Sequence, residues 1–239
     1  MLNTILFDLD GTLGPYDQRE FIKTYLATLE RCLTPMGYDG KRLVEGLWKG
    51  TGAMLQNDGS RTNRQAFWEC FTQELGVGVL PLESVLDDFY LREFDSVRSV
   101  MREQADRGPL IRGLREKGYG VILATNPVFP AVAVATRLSW VGLRPEDFDY
   151  VTAYENSRHS KPDPEYYRDI MAKVGRRPEE CVMIGNNPVD DMSALRTGMQ
   201  GRLVTDYLEN GQGVPIDGYV CQTFRELEDW LMSLPPLEQ

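Results

Sequence analysis

Six short apolar runs punctuate the chain, and none alternates polar with apolar positions as a half-wetted strand does. They are Thr4 to Leu9, Gly120 to Ala124, Tyr150 to Ala153, Cys181 to Ile184, Arg202 to Val204 and Tyr219 to Cys221. Runs of this kind suit strands covered on both faces of a parallel sheet. Between them the period changes. Tyr167, Ile170, Met171 and Val174 recur at helical spacing, with Asp163 as a cap, Pro164 in the first turn and Gly175 as a stop. Two more helices are expected, one from Pro127 towards Gly142 and one from Pro188 to Gly198. Strand and helix alternate from about residue 109 onward, which predicts a doubly wound α/β fold.

The stretch 17–97 reads differently. Arg19 to Leu33, Arg64 to Leu75 and Glu83 to Phe94 carry helical patterning, and no buried strand appears. Trp48 to Arg64, rich in glycine and polar groups, is expected to be a loop facing the core. The first strand is thus cut off from the rest of the sheet by a helical insertion, larger than an ordinary crossover. This divides the chain into an α/β core, 1–16 with 98–239, and a helical cap, 17–97. An insertion after a strand's carboxyl end lies over the place where such sheets bind ligands. Hinges are expected near Gly14-Pro15 and Arg107-Gly108.

Composition changes this picture only at the edges. With 36 acidic against 26 basic residues the net charge is −10, which disfavours nucleic acid and anionic membranes as partners. A bound cation can still admit an anionic small molecule to a cleft. Cys32, Cys70, Cys181 and Cys221 lie far apart with no C-x-x-C spacing, so a zinc site is not expected and reduced thiols are. The first residues lack a basic start, and no apolar run reaches the ~20 residues that span a bilayer. The expected location is cytoplasmic.

Four places carry candidate chemistry. Asp8-Leu9-Asp10-Gly11-Thr12 follows the first apolar run and can turn two carboxylates into one site. Thr125 and Asn126 end the next strand and open a helix at Pro127, so hydroxyl and N–H groups converge at a positive helix end, a ready site for phosphate oxygens. Lys161 lies between prolines and acidic residues in Ser160-Lys161-Pro162-Asp163-Pro164. Gly185-Asn186-Asn187-Pro188-Val189-Asp190-Asp191 offers oxygen ligands suited to magnesium. Taken singly, each has a plainer reading as an acidic turn, a helix cap or a solvated lysine.

In this order the four motifs, spread over nearly the whole chain, resemble those of the haloacid dehalogenase superfamily. The resemblance implies a Rossmann-like parallel sheet and a mobile helical cap. It implies a phosphatase branch enzyme that hydrolyses phosphomonoesters with Mg2+. Asp8 would attack phosphorus and Asp10 would act as general acid and base. Thr125, Asn126 and Lys161 would bind the phosphoryl group. The metal would be held by Asp8, Asp10, Asn186 and Asp191. Asp10 separates this chain from the namesake dehalogenases, whose halide leaves without a proton. Asn186 departs from the family, which commonly has aspartate there.

The substrate expected is a small phosphorylated metabolite, and the chain a monomer or homodimer. Tyr16, Trp48, Lys49, Arg61 and Arg64 are the candidates for substrate choice, through a substrate carboxylate or second phosphate. His159, the lone histidine, is expected at the surface or in a hydrogen bond. Two rivals share the motifs: a phosphomutase of the same fold, and a non-catalytic descendant that binds a phosphorylated ligand.

Overall fold

A computed structural model describes residues 1–37, 39–79 and 81–238. All six apolar runs are strands: β1 Thr4–Phe7, β2 Gly120–Leu123, β3 Tyr150–Val151, β4 Cys181–Gly185, β5 Gln200–Val204 and β6 Val220–Gln222. They form one sheet in the order β3-β2-β1-β4-β5-β6, parallel throughout. β1 is central, with Phe7 level with Leu123 on one side and Ile184 on the other. Its residues alternate between two apolar layers. Ile5 and Phe7 enter one and Leu6 the other, where Tyr166, Tyr167 and Ile170 cover it.

Helices flank the sheet: α5 Gly108–Glu116, α6 Ala131–Ser139, α7 Pro164–Val174 and α8 Phe224–Ser233. α7 matches its pattern, capped by the Asp163 side chain and stopped by a left-handed Gly175. The insertion is helical as expected, with α1 Gln18–Leu33, α2 Gly40–Leu55, α3 Asn63–Leu75 and α4 Leu82–Arg92. Its two ends run side by side, where the Arg102 N–H donates to the Pro15 carbonyl at 3.0 Å.

The insertion does not have a core of its own. One continuous apolar cluster links Ile5 and Phe7 to Tyr16, Phe21, Phe94, Phe129 and Trp140, and so joins the sheet to the inserted helices. Among the described residues no helix is long and apolar enough to cross a membrane. All four cysteines are unpaired.

Three expected elements differ. Residues 48–55 continue helix α2 instead of forming a loop. Gly46 and Gly50 are packing sites: a Cβ at Gly50 would lie 2.6 Å from the Phe67 ring, so the glycines let α2 approach α3 closely. The helix expected at Pro127 begins only at Ala131, with Pro130 in extended backbone as its N-cap; a residue before proline is disfavoured in helical conformation. The helix expected at Pro188 is a turn followed by a short 3-10 segment, Met192–Thr197. Asn187 caps that turn, its side-chain oxygen accepting from the N–H groups of Val189 and Asp190.

Candidate active site

The carboxyl ends of β1 and β4 lie side by side, and the sequence motifs meet there. Asp8 leaves β1 with its N–H on the Ile184 carbonyl at 2.8 Å. The chain then turns back through residues 9–14, where Gly11 N–H donates to the Gly14 carbonyl. Gly11 has φ +77°, and a Cβ there would collide with the Asn186 amide. Only glycine fits that turn.

Lys161 is 1% exposed, and its ammonium bridges Asp8 Oδ1 at 2.8 Å and Asp191 Oδ1 at 2.6 Å. Burial alone would lower its pKa, but Asp191 and Asp8 outweigh that and hold it well above the usual lysine value. The other Asp191 oxygen accepts the Asn187 N–H at 2.8 Å. A side chain at Gly185 would strike Asp191, so that glycine makes room for the carboxylate. Asp191 therefore holds the lysine and the β4 loop together.

Burial pushes the Asp8 carboxyl up to about 8, against the pull of Lys161 and with added repulsion from Asp191 and Asp10. Nearby Asp190 is pushed to about 6 by burial and Asp191, and Glu209 to about 7 by burial and Asp190. These groups, with Gln18, Thr125, Asn126, Asn186 and Asn187, line a cavity of about 20 Å³. That is room for about one water.

Asp10 is held more firmly than its motif implied. Arg137, on α6, contacts both its oxygens at 2.8 and 2.6 Å, and the Tyr16 hydroxyl donates to one of them. The Arg137 side chain is fully buried, with its guanidinium carbon 4.5 Å from the centre of the Phe129 ring. Neither Arg137 nor Glu209 was among the sequence candidates. A charged residue in the apolar run Ala131-Val-Ala-Val-Ala-Thr-Arg137-Leu138 was the available signal for the arginine.

Thr125 lies against β3, its carbonyl accepting from the Thr152 and Tyr166 hydroxyls at 2.7 and 2.8 Å. The Asn126 amide oxygen is buried without a partner, beside the cavity it lines. The expected helix end is not at this site. The first helical N–H, that of Ala131, is capped by Glu155 at 3.0 Å instead. Asn186 is also committed locally: its Nδ2 donates to the Tyr207 carbonyl at 2.6 Å, and the Thr12 hydroxyl donates to its oxygen at 3.4 Å.

Of the five candidates for substrate choice, only Tyr16 reaches the site, through Asp10. Lys49 pairs with Glu74, Arg61 with Glu69 and Arg64 with Glu83, all on the insertion. Trp48 is 55% exposed and borders a separate apolar cavity between the insertion and residues 128–130. His159 bonds Asp169 at 2.8 Å and takes no part in the site.

Among the described residues no three His, Cys, Asp or Glu side chains form a ready-made metal cage. The donor chemistry nevertheless fits magnesium, which takes few protein oxygens and keeps several waters. Asp8, Asp190 and Glu209 all line one small cavity, where burial first and neighbouring carboxylates second push their carboxyls up.

Over 204 residues the chain is 26% identical to the pyrophosphatase PpaX of Bacillus cereus strain AH820, covering 85% of this chain and 83% of that protein. A HAD phosphatase from Thermococcus onnurineus superposes with a TM-score of 0.60 at 20% identity, covering 99% of this chain and 100% of that one. The L-2-haloacid dehalogenase from Xanthobacter autotrophicus gives 0.57 at 16% identity, covering 98% and 100%. These two structures share the fold. A family model described as haloacid dehalogenase-like hydrolase matches residues 2–198. With that match over most of its length, the chain belongs to the haloacid dehalogenase-like hydrolases.

Proposed function

We propose that this hydrolase is a magnesium-dependent phosphatase that cleaves a small phosphorylated metabolite through an aspartyl-phosphate on Asp8. The observation that carries the reading is the bridge Asp8–Lys161–Asp191 at the carboxyl ends of β1 and β4. A carboxylate can attack a phosphate dianion only where like-charge repulsion is offset. Lys161 supplies one fixed positive charge against the attacking oxygen. Asp8, the Asp10 backbone carbonyl, Asn186 and Asp190 would hold the magnesium, with Asp191 occupied by the lysine. When bound, the ion neutralises phosphate and carboxylate charge together.

The chain's own groups divide the remaining work. Asp8 oxygen attacks phosphorus as the bond to the leaving oxygen breaks in line; a phosphate leaves as the anion, and an alcohol leaves with a proton taken from solvent water. Thr125 and Asn126 hold phosphoryl oxygens from the β2 side. Asp10, held in place by Arg137 and Tyr16, takes the proton of the water that hydrolyses the intermediate. A cavity with room for about one water is too small for a phosphate ester, so the site must open for substrate to enter. In this reading 17–97 acts as the lid over an active centre built by 1–16 and 98–239.

The relative named a pyrophosphatase favours a second substrate class, the phosphoanhydrides. The grip of Arg137 on Asp10 supports it too, because a phosphate leaving group needs no proton from an acid. The test is inorganic phosphate release from phosphomonoesters and from pyrophosphate, with and without magnesium, by the native chain and Asp8→Asn. Turnover that requires both the ion and Asp8 is the expected result. Turnover by Asp8→Asn at the native rate would overturn the reading.

A further inference from the structure

Asn63 is completely buried although it lies in the first turn of α3, on the insertion. That helix does not need its side chain. Thr62 already caps α3, in a reciprocal capping box with Gln65. The Asn63 amide instead crosses to the sheet side. Its Nδ2 donates to the Pro127 carbonyl at 3.1 Å and to Ser160 Oγ at 3.0 Å, while its oxygen accepts from Asn57 at 2.8 Å. Two backbone bonds flank it, Asn63 N–H to Ser157 O and Arg64 N–H to Tyr154 O, both at 2.8 Å. Ser160 Oγ returns a bond to the Met54 carbonyl at the end of α2.

The two partners of this amide have a common property. Pro127 directly follows Asn126, and Ser160 directly precedes Lys161. One buried side chain of the insertion thus holds both loops that present phosphate-binding groups. A buried amide and its partners are satisfied together only while the 56–63 loop is seated. We propose that Asn63 is a positioning residue: seating this loop fixes Asn126 and Lys161 against the phosphoryl group, so closure and catalytic geometry are one event. The inference rests on the reading of Asp8 and Lys161 as a phosphoryl-transfer pair.

The experiment compares Asn63→Ala, Asn63→Asp, Ser160→Ala and the Asn63→Ala/Ser160→Ala double variant. Inorganic phosphate release from pyrophosphate and from p-nitrophenyl phosphate is measured in saturating magnesium. Asn63→Asp keeps the size but has no N–H to donate, so it should behave as the alanine variant. The expected result is a kcat lower by roughly 10- to 100-fold, with a much smaller change in KM, as for a slightly misplaced catalytic group. The double variant should lose no more than the worse single one. A native kcat in folded Asn63 variants, with only the unfolding temperature lowered, overturns the proposal, and so do fully additive losses. If Asn63→Ala does not fold, Ser160→Ala decides by the same kcat criterion. Activity in the native chain that is independent of Asp8 removes the underlying reading and this inference with it. Asp8-dependent activity that is insensitive to Asn63 removes the inference alone.

Discussion

Arg137 grips both oxygens of Asp10 from inside an aromatic enclosure, 127 positions further along the chain. The pair spans α6 and the turn after β1, so it welds the flank of the sheet to the catalytic turn. Breaking a buried pair by removing one partner typically costs about 3–5 kcal/mol, since the other charge stays behind. Arg137→Met should therefore lower the stability measured by urea unfolding by about 3 kcal/mol. An unchanged midpoint would mean that Asp10 finds water or another partner at once.

The same grip predicts an order among substrates. With both Asp10 oxygens engaged by Arg137 as acceptors, the residue is poorly placed to donate to a leaving group that needs a proton. A general acid is worth roughly 100-fold or more where it acts. Pyrophosphate and aryl phosphates should therefore turn over roughly 100-fold faster than alkyl phosphates. Similar kcat values across leaving groups of very different acidity would contradict the prediction.

Stability should depend on pH in a direction set by the nucleophile. The Asp8 value of about 8 lies above its ordinary 3.8, so the folded chain holds this proton more tightly than the unfolded chain. The favourable contribution is complete below pH 3.8 and is lost as the pH rises through about 8. Metal-free protein should unfold at a lower temperature at pH 8.5 than at pH 6. Asp8→Asn should reduce that difference, and so should saturating magnesium. Thermal unfolding in chelator, across that range, measures both.

Asn186→Asp would restore the residue more usual in the family, yet it should not improve the protein. The Nδ2 that donates to the Tyr207 carbonyl would become an oxygen facing an oxygen. Leaving a buried acceptor unsatisfied costs about 1–3 kcal/mol. A lower unfolding temperature in metal-free buffer is the expected outcome, read by calorimetry.

Gly50→Ala separates helix propensity from packing. Propensity favours alanine in a helix interior by about 1 kcal/mol. The new methyl would meet the Phe67 ring at 2.6 Å, so α2 would have to withdraw from α3. Net destabilisation in denaturant titration is expected, and a gain would show that the two helices can separate cheaply.

The strands were legible because burial on both faces leaves unbroken apolar runs, and α7 because its cap, proline and glycine agree with its period. Motif residues were legible because strand ends and glycine turns leave local marks: Asp8, Asp10, Lys161 and Asp191 do converge. What could not be read was set by partners distant in the chain. Gly50 looks like a loop residue until Phe67 stands opposite it. Arg137 acquires its role only from Asp10. Lys49, Arg61 and Arg64 are cations in a plausible region, but Glu74, Glu69 and Glu83 claim them. The polar side chain of the insertion that reaches the Pro127 and Ser160 loops is the uncharged Asn63, a residue type that composition does not single out.

The bond from Arg102 N–H to the Pro15 carbonyl has a consequence for how the chain folds. Thr4 on β1 pairs with Gly120 on β2, and a contact so distant in sequence is expected to form slowly because a long loop must first be closed. The first inserted helix, α1, packs against residues 94–100 and so brings the insertion's two ends together. Once the ends have met, the remaining gap between the strands is only a few residues at one end and a single helix at the other. The excursion thus acts as its own splint, and the central pairing of the sheet is reached along a much shorter effective path than the residue numbers imply.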